Sequence, residues 1–145
     1  MIDPKTIMYE EGRRQALELQ QRSGSMTGTQ LYEEDSLIPE FRAAKQTMNM
    51  LLRDPGFICK SSAGRVVKLL QVYDSNVYSQ EPEELPAQWG FVWSQDPARA
   101  LPFVAMSTSP YMKRDCCTEN GTTFRSTIDY NVWAPSAYPA GWEAA

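Results

Sequence analysis

The apolar and polar residues of this chain change rhythm near Phe57. Before it a helix-forming stretch gives way to a connector; after it the residues fall into short runs with the texture of strands. Residues 1–25 open with Asp3-Pro4, an N-cap residue followed by a proline at the first helical position. Ala16, Leu17 and Leu19 favour helix, and Ser23-Gly24-Ser25 ends it. Ile7, Met8, Ala16 and Leu19 make a thin apolar stripe, short of sustained heptads. The pattern predicts a helical arm over residues 1–25, either frayed or ordered against a partner. Residues 26–56 predict a connector. Glu33-Glu34-Asp35 and Pro39 mark an extended stretch with little regular structure, residues 42–53 allow a short helix, and Asp54-Pro55-Gly56 closes it with a turn.

From Phe57 onward the predicted elements are strands. Residues 57–60 form a short one, residues 61–64 a hairpin turn, and residues 65–73 a second strand containing β-branched Val66 and Val67. A loop over residues 74–86 leads to a strand at 89–93, a turn at 96–102, and strand-like residues at 103–106. Residues 115–118 and 122–128 flank Asn120-Gly121, a strong hairpin signal.

This half of the chain repeats itself. Cys59 is followed by Gly64 and Val67-Lys68, then Asp74-Ser-Asn-Val-Tyr78, then Pro86-Ala-Gln-Trp89. Cys116 is followed by Gly121 and Phe124-Arg125, then Asp129-Tyr-Asn-Val-Trp133, then Pro139-Ala-Gly-Trp142. A repeat of this length marks a duplicated module. The expected fold is therefore mainly β: two small hairpin modules, residues 57–95 and 96–145, preceded by the helical arm and the extended connector. Modules this small barely offset chain entropy alone, so the two should pack together or lean on neighbouring subunits.

Composition narrows the function. The chain has 145 residues, a net charge of -4 and no histidine. Its pI is about 4.9 and its mean hydropathy is -0.47. No basic cluster is suited to phosphates, which argues against nucleic acid. No apolar run approaches the roughly 20 residues of a membrane span, and the first 25 residues carry no signal-peptide pattern. Without histidine the commonest general base and metal ligand are both missing. The three cysteines are read as reduced, structural thiols, and neither a metal nor another cofactor is expected. Glu81, Glu83 and Glu84 fit a solvated loop better than a glycosidase carboxylate pair.

The candidate chemistry lies in the aromatic residues. Sugar recognition needs flat exposed rings for the C–H face of a pyranose, with amides or carboxylates for its hydroxyls. Tyr78 beside Asn76, and Trp133 beside Asn131, occupy matching loop positions, with Tyr130 and Tyr138 close by. These rings either face solvent or fill a thin core. The Asp-x-Asn side chains also suit capping of their own loops. Trp89 and Trp142, each after a Pro-Ala step, and Cys59 and Cys116 are read as core anchors.

The layout of each copy resembles the small chitin- or cellulose-type carbohydrate-binding modules of the family 5/12 kind. Phe124-Arg125, Asn131 and Trp142 carry the likeness, with Val67-Lys68, Asn76 and Trp89 in the first copy. Residues 26–145 resemble small tail-region proteins of phages and prophages of Gram-positive bacteria. The stretches concerned are Ile38-Pro-Glu-Phe41, Leu85-Pro-Ala-Gln-Trp-Gly-Phe-Val-Trp93, Asp96-Pro-Ala-Arg-Ala-Leu-Pro-Phe103 and Tyr138-Pro-Ala-Gly-Trp142. The phage resemblance implies a particle component, and the carbohydrate-module resemblance implies β modules that touch host-surface polysaccharide. Taken with the predicted arm, the expectation is a non-enzymatic virion protein attached through that arm to other virion proteins, and a homo-oligomer, with a trimer compatible, as particle proteins commonly are. The alternative is a purely structural decoration or cement protein of a capsid or tail.

Overall fold

A computed structural model of the chain describes residues 4–41, 54–74, 77–78 and 80–145. Two β-sheets, of three and four strands, follow an N-terminal helix. Helix α1 spans Pro4–Arg22. Residues 10–18 are exposed apart from partly buried Ala16, and Arg14 pairs with Glu11 and Glu18 along the solvent face. Such exposed pairs are screened by water and add little.

The last turn of α1 belongs to the core, contrary to a wholly separate arm over residues 1–25. Leu19 is fully buried in a cluster with Leu31, Tyr32, Ile38, Ile58 and Val66. The connector is likewise more regular than its sequence suggested. Thr27 caps helix α2 (Gly28–Glu33) through a capping box: Gln30 N donates to Thr27 Oγ1, and Thr27 N donates back to the Gln30 side chain. A 3-10 turn at Asp35–Leu37 follows. The short helix expected at residues 42–53 lies outside the described residues. The Asp54-Pro55-Gly56 turn forms as expected, with Phe57 N donating to Asp54 O at 3.3 Å.

The first sheet comprises β1 (Ile58–Lys60), β2 (Val66–Leu69) and β3 (Trp89–Phe91), antiparallel in that order. The second comprises β4 (Leu101–Pro102), β5 (Cys116–Glu119), β6 (Thr122–Ser126) and β7 (Trp142–Ala144). There β4 runs parallel to β5 and the other pairs are antiparallel.

The two hairpins differ in turn length. Glu119 pairs with Thr122 across a two-residue turn in which Asn120 and Gly121 have φ of 51° and 79°. These are the left-handed angles that a tight hairpin requires. In the first hairpin Lys60 pairs with Val66, and Ser61 N donates to Arg65 O across Ser62-Ala63-Gly64, with Gly64 at φ 84°. The longer turn slips the incoming strand by one residue. Cys59 faces Val67, whereas Cys117, not Cys116, faces the matching Phe124. Beyond the turn the registers coincide: Leu69 pairs with Trp89 as Ser126 pairs with Trp142.

The first sheet is covered on both faces. Ile58 and Val66 point toward the helices; Cys59, Val67 and Leu69 point the other way. That second face shares one core with Tyr111, Cys117 and Trp142 from the C-terminal part. A stack of rings runs through it, with Trp93 and Tyr111 centroids 4.2 Å apart. Trp89, Trp142, Cys59 and Cys116 are all buried. Burial pushes the Cys117 thiol up to about 12, so it stays protonated at neutral pH.

Polar side chains close the seams. The Gln20 amide accepts from Ile58 N (2.9 Å) and donates to Ile58 O (2.7 Å), occupying the edge of β1 as a neighbouring strand would. The Tyr32 hydroxyl accepts from Val66 N and donates to Val92 O. Glu83 accepts from Ser61 Oγ and pairs with buried Arg65, which also donates to Pro102 O at 2.8 Å. Glu81 accepts from Ser62 N. Glu81 and Glu83 therefore pin the first hairpin rather than lying in a wholly solvated loop.

Truncating Leu19 to alanine should lower the unfolding free energy in urea by about 2–5 kcal/mol. A loss below about 0.5 kcal/mol would mean that α1 is not part of the core.

Candidate functional site

Among the described residues, the loop joining β6 to β7 holds most of the exposed aromatic surface. Tyr130 is 70% exposed, Trp133 49% and Tyr138 41%. The Trp133 and Tyr138 rings meet edge to face, with centroids 5.5 Å apart and planes at 67°.

Asn131 is the bolt beneath this surface. It is 0% exposed. Its Nδ2 donates to Ser126 Oγ (3.0 Å) and Gly141 O (2.9 Å), while Oδ1 accepts from Trp133 N (3.2 Å). Its backbone pairs with Tyr111 in an isolated bridge. The expectation that Asn131 offers an amide to a sugar is therefore corrected: every polar atom of the side chain is engaged inside the loop.

The rings themselves are well supported. Ala134 O accepts from both Ala137 N and Tyr138 N. Glu119, at the tip of the β5–β6 hairpin, receives Ser136 N on Oε1 (3.0 Å) and Ser136 Oγ on Oε2 (3.1 Å). Trp142 Nε1 donates to Trp133 O at 2.8 Å. Gly141 leaves room for Tyr138, since a Cβ there would lie 2.8 Å from Tyr138 Cδ2 and 3.0 Å from Asn131 Nδ2. Glu119, Ser136 and Gly141 were not singled out from the sequence. The available signal was Gly141 itself, which stands where the first copy has Gln88.

The floor continues into residues 111–115. Lys113 N donates to Asp129 Oδ1 (2.9 Å) and Arg114 N to Ser126 O (2.8 Å). Arg114 and Tyr130 hold left-handed φ of 83° and 54°, a conformation unfavourable for residues with side chains. Asp115 closes this turn, accepting from Met112 N at 2.8 Å. Burial, with the charge of Asp129 added, pushes its carboxyl from the ordinary 3.8 up to about 6, against the opposing pull of the Met112 bond.

The first copy does not present a matching site. Tyr78 is partly buried against the main core and stacks on Tyr73, with centroids 5.7 Å apart and planes at 21°. Tyr73 Oη donates to Tyr78 O at 2.6 Å. One face of the Tyr78 ring is thus closed, so of the two alternatives left open for this candidate it takes the core-filling one. The second copy has Ile128 where the first has Tyr73, and Tyr138 where the first has Leu85. Asn76 lies outside the described residues. Among the described residues no group of acidic, cysteine or histidine side chains is placed to hold a metal ion. No described helix is long and apolar enough to cross a membrane. Comparison with protein-family models, curated proteins and solved structures finds no match to this chain.

Because the folded state raises the Asp115 pKa, its ionisation weakens the fold above pH 6, and that penalty fades as pH falls toward 4. Asp115→Asn keeps an acceptor for Met112 N and removes the penalty. The variant should be more stable than the parent at pH 7 by on the order of 1–3 kcal/mol, with the difference vanishing near pH 4. Parallel denaturant titrations across that range measure it. A pH-independent difference would contradict the buried-carboxylate account.

Proposed function

We propose that this chain is a non-enzymatic bacteriophage virion protein whose C-terminal β unit contacts host-surface polysaccharide. The observation that carries the contact is the Trp133–Tyr138 pair, exposed on a loop whose polar groups are tied down from beneath. Solvent-facing rings on a rigid support match the stacking requirement for pyranoses. The virion setting rests on the sequence resemblances alone.

The two β units are proposed as copies of one ancestral hairpin unit. Supporting this are the glycine turns at Gly64 and Gly121 and the common register of Leu69 with Trp89 and Ser126 with Trp142. They would have diverged in role. The first, enclosed between the helices and the shared core, serves as a spacer, as the alternative structural reading requires for that unit alone. Helix α1, exposed over most of residues 10–18, supplies the attachment to other virion proteins or to sister subunits in a homo-oligomer.

Trp133→Ala tests the reading. The side chain is half exposed, and the bond from Trp142 goes to its backbone carbonyl, so unfolding should shift by less than about 1 kcal/mol. Retention on purified host cell wall should fall by about tenfold or more. Unchanged retention, or no affinity of the parent protein for any glycan in a cell-wall panel, would leave the purely structural role standing.

A further inference from the structure

We infer that the aromatic site takes a single, hydrated glycan chain and not the flat face of a crystalline polysaccharide. This rests on the saccharide reading above and names the physical form of its ligand. A crystalline surface is planar and rigid, so several rings can stack on it only if they lie in one plane. Trp133 and Tyr138 are inclined at 67°, with the edge of one against the face of the other. A flat surface could stack on one of them at most. A free chain can turn at its glycosidic bonds and place sugar faces against both.

The backbone that carries the two rings is held in place. Tyr138 lies close over Gly141, where an added Cβ would come within 2.8 Å of its Cδ2. Its loop is held by Glu119 through Ser136 and by the paired bonds to Ala134 O. Trp133 is held through its amide by Asn131 and through its carbonyl by Trp142. Displacing the loop that carries the two rings would break these bonds together. A rigid corner of this kind selects for ligand shape, because the ligand must do the bending.

The test uses the full chain and matched probes. Soluble chitohexaose, cellohexaose and released peptidoglycan glycan strands are titrated by tryptophan fluorescence. Crystalline chitin and crystalline cellulose are used in sedimentation assays. At least one soluble glycan should bind, and the crystalline powders should retain no more protein than an inert control. Trp133→Ala and Tyr138→Ala should each weaken soluble binding about tenfold, the two variants guarding against misfolding of either. Retention on a crystalline powder that either variant abolishes would overturn this inference while leaving the saccharide reading intact. Absence of binding to every soluble and crystalline probe would overturn both.

Discussion

The burial of the Ile58–Lys60, Val66–Leu69 and Trp89–Phe91 strands on both faces is the constraint on which the rest of the structure depends. This three-stranded sheet carries apolar side chains on both faces, and each face needs a cover. Leu19, Leu31, Tyr32 and Ile38 cover one face; Tyr111, Cys117 and Trp142 share the core on the other. Each fully buried side chain of this size contributes about 1.5–3 kcal/mol. The N-terminal segment and the C-terminal sheet therefore stabilise the same strands from opposite sides. The Gln20 amide on Ile58 extends the arrangement to the sheet edge. The three parts are energetically one unit, although the sequence reads as an arm, a connector and two modules.

Within that arrangement the two hairpins share some features and differ in others. Each keeps a glycine in the left-handed region at its turn, and each keeps the register between its second and third strands. The second hairpin's turn is one residue shorter than the first's, which slips its first strand and brings Cys117, not Cys116, opposite Phe124. A one-residue slip exchanges the faces of a strand. The vicinal pair Cys116-Cys117 tolerates it because both residues are small and apolar. Cys117 enters the shared core, and Cys116 packs beside Gln95 and Arg114, whose carbonyls lie 3.7 and 3.6 Å from its sulfur.

Much of the strand pattern was legible because its signals are local. Asn120-Gly121 specifies its turn by backbone angle alone, and Val66-Val67 announces a strand buried on both faces. Helix α2 was missed because six residues carry too little periodicity. Its capping box, Thr27 to Gln30, was the readable sign. The site was only partly legible for a different reason. Asn131 and Tyr78 look like ligand groups when read beside their neighbours in sequence. Their fate depends on distant residues: Ser126 and Gly141 for the amide, Tyr73 for the ring.

Tyr78 and Trp133, at matching positions in the sequence, come to different settings. In both loops the carbonyl of the aromatic residue is capped. Tyr73 Oη caps Tyr78 O in the first, and Trp142 Nε1 caps Trp133 O in the second. The donor decides where the ring goes. A tyrosine hydroxyl donates from the end of its own ring, so the donor ring comes to lie against the residue it caps. The Trp142 indole donates from a side chain already anchored in the core, and Ile128, where the first copy has Tyr73, has no hydroxyl to compete. Trp133 is thereby fixed through its backbone while its side chain stays at the surface. Fixing the backbone restrains the loop while the Trp133 side chain stays half exposed.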